Sequence, residues 1–201
     1  GLIVTGNGGT CTEATPTCTG GRIQNTTGGD IDPLLSTPGG TAIALRNTKA
    51  VSLTLMRLDN HSNYAIHGLN VQGFSISNSV INGTNGTNVA SPFRDSSMRF
   101  DQLTGTNSIT NSVISGGFQH NLLIDNQSGT SQITVSGNTI KNTSAAVGDD
   151  GFQLEAETTA VVNAFVTNNS FSANGGDHFN LSLINGADVD LTFTGNAFAG
   201  G

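Results

Sequence analysis

The chain has 201 residues, a formal net charge of −7, 10% charged and 5% aromatic residues, 27 glycines, two cysteines and no tryptophan. Seven basic residues scattered along it form no phosphate-binding patch, which argues against nucleic acid as a partner. No run of about 18 apolar residues provides a membrane span. So few aromatic residues cannot fill a broad globular core, but columns of Val, Ile, Leu and Phe can fill a narrow coil.

Residues 1–40 are the least regular part. Gly1 to Thr5 is already strand-like, as though cut from a longer coil. Cys11 and Cys18 follow, with no third or fourth Cys or His nearby to complete a zinc site. They suit a local disulfide closing a Pro-containing loop, with a pair of small buried thiols as the alternative. The disulfide reading places the chain in an oxidising compartment, extracellular or at the cell surface.

From residue 41 onward the apolar residues recur at drifting offsets. An offset of 23 carries Ile43 to Ile66, Val51 to Phe74, Leu53 to Ile76 and Leu58 to Ile81. An offset of 33 carries Ile76 and Ile81 to Ile109 and Ile114, and 26 carries these to Val135 and Ile140. An offset of 31 then carries Leu123, Val135, Asn138 and Ile140 to Leu154, Val166, Asn169 and Phe171. The last, 27, carries Asp150, Phe152, Leu154, Asn169 and Phe171 to Asp177, Phe179, Leu181, Asn196 and Phe198. Within units, runs such as Ile133-Thr134-Val135-Ser136 alternate with period two, the mark of strands with one buried face. Asn-Gly and Gly-Gly pairs between them supply tight turns. The expectation is an all-β, right-handed single-stranded parallel β-helix (a solenoid) with rungs of about 23–33 residues, each adding about 4.8 Å. Residues 1–201 read as one segment of it, regular from 41 to 201.

Four features of this coil bear on function. Phe152, Phe171, Phe179 and Phe198 are expected inside, Phe171 stacked on Phe198. Asn138, Asn169 and Asn196 share a column and are expected to satisfy main-chain polar groups at a corner. The longest insertion, residues 82–97 with Pro92, Phe93 and Arg94, is expected to bulge out and carry any recognition. Gly148-Asp149-Asp150-Gly151, followed one rung later by Gly176-Asp177-His178-Phe179, clusters carboxylates. Asp149, Asp150, Asp177 and His178 are therefore the candidates for acid–base chemistry, and the three aspartates for holding calcium. The plainer reading makes these turn residues, the carboxylates accepting from N–H groups of Gly151 or Phe152 and of Phe179. His61, His67, His120 and His178 are spread over several rungs and read as surface or turn groups.

The stretches Ala65 to Ile81 and Ile109 to Gly116 resemble the right-handed parallel β-helix repeats of the pectate-lyase-like superfamily. The Cys11 to Gly21 segment, the Gly-Asp-Asp-Gly turn and the Thr-Gly-Asn-Ala-Phe ending resemble long secreted β-strand-repeat proteins of bacteria, autotransporter- or adhesin-like. That resemblance implies a stiff structural or adhesive stalk or passenger region, with neighbouring rungs, surface glycans or a fibre as partners and no cofactor. The same fold also hosts glycoside hydrolases and lyases, so a polysaccharide-acting or glycan-binding coil using Asp149, Asp150 and Asp177 is the alternative. Of the polygalacturonase pattern the chain has the Asp-Asp turn but neither Gly-His-Gly nor Arg-x-Lys.

Overall fold

Period-two alternation makes strands, and here each strand pairs in parallel with its counterpart one rung away. The computed structural model describes residues 1–5, 11–14, 18, 21–90, 92–144 and 149–200; Gly148 of the acidic turn lies outside the described residues. In chain order the rungs are β1 (Ile3–Thr5) with β2 (Gly21–Thr26), β3 (Ile43–Thr54) with β4 (Met56–His61), and β5 (Ile66–Ser77) with β6 (Val80–Asn85). Next come β7 (Ser96–Thr110) with β8 (Val113–Ser115), then β9 (His120–Asn126), β10 (Thr130–Ser136) and β11 (Thr139–Lys141). The last two are β12 (Phe152–Glu157), β13 (Val161–Thr167) and β14 (Ser170–Ser172), then β15 (Phe179–Ile184), β16 (Asp188–Thr194) and β17 (Ala197–Ala199). They form a parallel β-solenoid of about six turns, with no helix among the described residues.

The coil has three faces. The first holds the N-terminal halves of β3, β5 and β7 with β9, β12 and β15. The second holds their C-terminal halves with β1, β10, β13 and β16, and the third holds the remaining seven strands. β3, β5 and β7 round the first corner without a break, through left-handed residues at Asn47, Asn70 and Gln102 (φ 53°, 53° and 70°). The tolerance of Asn for this conformation explains two of the three.

Inside, the columns run the length of the coil. On the third face Ile23, Leu58, Ile81, Ile114, Ile140, Phe171 and Phe198 stack in register. Phe171 lies 5.4 Å from Phe198, ring on ring. Phe171 is fully buried while Phe198, in the last rung, is 49% exposed. On the first face Leu45, Gly68, Phe100, Ile124, Leu154 and Leu181 stack. Gly68 makes room for its neighbour, since a Cβ there would lie 2.5 Å from Phe100 Cδ1.

Two details depart from the offsets. Leu154 pairs with Ile124 and not with Leu123, because Leu123 faces outward beneath the insertion. Asn107 occupies a place in an otherwise apolar column, between Phe74 and Ile133, next to a bulge between Gln72 and Ser75. Its side chain accepts from Phe74 N–H and donates to carbonyls around the bulge, so the irregular backbone stays paired.

At the corner between the second and third faces, each rung places a left-handed residue (Leu55, Asn78, Asn111, Gly137, Asn168, Gly195) just before Met56, Ser79, Ser112, Asn138, Asn169 and Asn196. Main-chain N–H groups there donate to the side-chain oxygen one rung on: Met56 to Ser79, Ser79 to Ser112, Ser112 to Asn138, Asn138 to Asn169, Asn169 to Asn196, all at 3.0–3.1 Å. The asparagine amides also donate back to the carbonyls of Ile109, Val135 and Val166. The polar column is thus longer than its three asparagines, with two serines extending it.

Candidate functional site

Stacking on adjacent rungs brings Asp150 over Asp177 where the third face hands over to the first. Asp150 is buried, and Asp149 and Asp177 are exposed. Asp150 Oδ1 accepts the Asp177 N–H at 3.0 Å, and the Asp150 N–H donates to His120 Nδ1 at 3.2 Å. The expected bonds from Gly151 and Phe152 to carboxylates do not form. Those N–H groups donate to the carbonyls of Asp177 and His178, because the parallel ladder already runs through this turn. Burial, then the charge of Asp149, pushes the Asp150 carboxyl up to about 6. His178 Nδ1 accepts from Asn174 Nδ2 (3.1 Å), and its ring lies 5.7 Å from that of Phe198. Its surroundings are those of a packing group.

Ligand atoms of His120, Asp149 and Asp150 lie within 4.8 Å of one another, so His120 stands where Asp177 was expected. An imidazole that already accepts a main-chain N–H fits poorly into the all-oxygen shell calcium takes. The histidines are not surface groups: His61, His67 and His120 are buried. Burial depresses His61 to about 4, and burial with the charges of Arg94 and Arg99 depresses His120 to about 3.

The richer constellation lies on the outside of the first face. Alternation along each strand points two columns outward there. One is His67, Arg99, Leu123 and Gln153; the other is Leu69, Asp101, Asp125 and Glu155. Rung spacing of about 4.8 Å stacks the three carboxylates into a row. Asp101 has both oxygens engaged: Arg99 Nη2 donates to Oδ1 at 2.8 Å, Arg99 Nε to both, and His67 Nε2 meets Oδ2 at 2.9 Å. Burial alone would raise Asp101, but His67 and Arg99 outweigh it and hold its carboxyl below the usual range. Glu155 is gripped by Arg94, Nη1 to Oε2 at 2.8 Å and Nη2 to Oε1 at 3.0 Å.

Between them Asp125 has no such partner. Its Oδ1 is buried and unbonded, and burial, then the charges of Glu155, Asp101 and Glu157, pushes it up to about 6. Beside it opens a cleft of about 290 Å³, lined by Leu34, Leu69, Asp101, Gln102, Asp125 and Gln127 among others. Leu34 comes from the N-terminal excursion, whose carbonyls at Pro33, Leu34 and Ser36 accept from the Arg46 guanidinium. Amide, carboxyl and apolar side chains in one open cleft can hold a hydroxyl-rich chain by hydrogen bonds.

The insertion expected to bulge over residues 82–97 is shorter and lies down. Residues up to Asn85 continue β6 and β7 begins at Ser96, so the excursion is 86–95. Asp95 closes it by accepting from the N–H groups of Thr87 and Asn88 (2.8 and 3.0 Å). Its tip is drawn onto the first face by charge: Arg94 needs Glu155, and Arg99 donates to the Pro92 and Phe93 carbonyls.

Cys11 and Cys18 are disulfide-bonded with Cα atoms 4.5 Å apart. Glu13, in the loop they close, reaches Lys141 Nζ at 2.7 Å on the third face. No helix among the described residues is long and apolar enough to cross a membrane. No protein-family model, no curated protein and no solved structure matches the chain.

Proposed function

We propose that the chain is a structural and adhesive segment of a bacterial extracellular or cell-surface protein, and that its outer cleft on the first face holds a glycan chain. The disulfide, a bond that persists in oxidising compartments, supports the location. The observation that carries the holding role is the state of the three carboxylates. Glycoside hydrolysis needs two carboxyl groups free to reach one glycosidic bond. Here Asp101 and Glu155 each have both oxygens committed to arginine, and Glu157, whose carboxylate lies within 4.8 Å of those of Asp125 and Glu155, is not among the residues lining the cleft, which leaves Asp125 as the uncommitted acid of that lining. One free acid among amides binds; it does not supply an acid–base pair.

A polysaccharide-acting enzyme is the second reading, favoured by one observation: neighbouring acids on one row are split, Asp101 held down and Asp125 raised to about 6. Affinity electrophoresis of the purified chain through gels containing neutral polysaccharides, with a parallel reducing-end assay, separates the two. Retardation that is lost in Asp125→Ala, with no new reducing ends, is the expected outcome. Cleavage dependent on Asp125 would establish the enzyme, and free migration through every polysaccharide would remove the glycan reading.

A further inference from the structure

We propose that the arm Pro92–Asp95 is a displaceable cover, held shut by the Arg94–Glu155 ion pair, which hides half of the outer groove. The identity of what enters the opened groove rests on the glycan reading above; the existence of the cover does not.

What holds the arm is polar throughout. Arg94 donates to both oxygens of Glu155 and, through Nη2 at 2.9 Å, to Gln153 Oε1. Arg99 donates to the carbonyls of Pro92 and Phe93, and Tyr64 Oη also donates to that of Phe93. No residue of the arm belongs to the apolar core. Lifting it therefore leaves the inner cluster covered and bares one buried apolar side chain, Leu123, which suits a segment that opens locally while the fold stays intact.

What the arm covers is incompletely satisfied. Beneath and beside it His67 Nδ1 and His120 Nε2 are buried without partners, each on a side chain that is 0% exposed. Buried polar atoms without partners cost free energy that water or a ligand would return. Arg94 itself has φ +45°, in the left-handed region that an arginine adopts at a cost. Strain and orphaned groups favour opening, and the guanidinium–carboxylate fork opposes it.

Opening has a defined product. The column His67, Arg99, Leu123 and Gln153 is uncovered, and Glu155 is freed beside Asp125. The cleft at Asp101 and Asp125 then widens into a groove two columns across. The arm's carbonyls, taken by Arg99 and Tyr64 when shut, occupy the donors that a bound chain would use.

Hydrogen exchange read by mass spectrometry, with diethyl pyrocarbonate labelling of His67, tests the cover on the intact chain. Arg94→Ala and Glu155→Gln break the fork from either side; Lys141→Ala breaks an ion pair on another face and serves as control. In both arm variants the amides of residues 93–95 should exchange about tenfold faster, His67 should become labelled, and β5, β7 and β9 should keep their protection. The control should match the wild type. Unchanged exchange at 93–95 in both variants overturns the proposal, as does acceleration shared equally by β7 and β9. Stronger polysaccharide retardation of the arm variants supports the groove. Opening with no retardation of any variant upholds the cover and rejects the glycan reading alone.

Discussion

The coil carries two concentrations of buried polar groups, and they are built on opposite plans. At the corner between the second and third faces, Ser79, Ser112, Asn138, Asn169 and Asn196 are neutral, and each receives an N–H from the rung before it. On the outer first face, unlike groups meet: His67, Arg99, Asp101, Asp125, Glu155 and Arg94 mix charges, and several atoms lack partners. A polar row that repeats can satisfy itself along the axis, so it stabilises. A polar row that does not repeat leaves residual capacity, and that capacity is what a ligand can use.

The difference predicts substitutions of opposite sign. The largest effect lies beneath the corner, where Phe171 is fully buried between Ile140 and Phe198. Phe171→Ala should cost about 3 to 5 kcal/mol in urea denaturation, since a narrow coil cannot collapse around the void. A loss under about 1 kcal/mol would mean that the column relaxes and the rungs are softer than their pairing implies. Asn169→Leu keeps the volume but strands the Asn138 N–H and the Val135 carbonyl. About 3 kcal/mol should be lost, near the cost of two buried unpaired groups. An unchanged midpoint would remove the ladder's structural role.

On the first face the sign reverses. The Asp125 carboxyl is raised to about 6, so folding favours its protonated form. Its favourable contribution is complete below the unfolded value near 3.8 and disappears as pH rises through about 6. Asp125→Asn should accordingly stabilise the chain at pH 7.5, by roughly 1 to 2 kcal/mol after allowing for solvent screening of a partly exposed group, and by nothing near pH 4. Equal midpoints for the two proteins at pH 7.5 would show that Asp125 is better solvated than its neighbours suggest.

The columns of the fold were legible because apolar residues fall at one offset per rung and polar turn residues separate them. The one slip, Leu123 assigned to the place of Ile124, arose because Leu122-Leu123-Ile124 is apolar throughout and alternation cannot choose a face. The bulge at Asn107 was hidden for a related reason: an asparagine in an inward column breaks the pattern that identifies columns. In the sequence, acids stand out where aspartates are adjacent, at Asp149 and Asp150. The row of Asp101, Asp125 and Glu155 is contiguous only in space. Its trace in the sequence is faint but physical: Phe100-Asp101, Ile124-Asp125 and Leu154-Glu155 are each an inward apolar residue followed by an outward acid. Arg94 gave no such trace, since nothing local pairs an insertion with a strand two rungs above it.

That reach has a mechanical consequence. Arg94 leads into β7 and Glu155 lies on β12, with β9 between them. Tension applied along the coil loads the ladders between rungs, which run parallel to the pull and can peel one interface at a time. The fork bridges two interfaces at once, β7 to β9 and β9 to β12, so neither can part until guanidinium and carboxylate separate. The coil thus has a collar at mid-height, and whatever admits a guest beneath the arm must also slacken it.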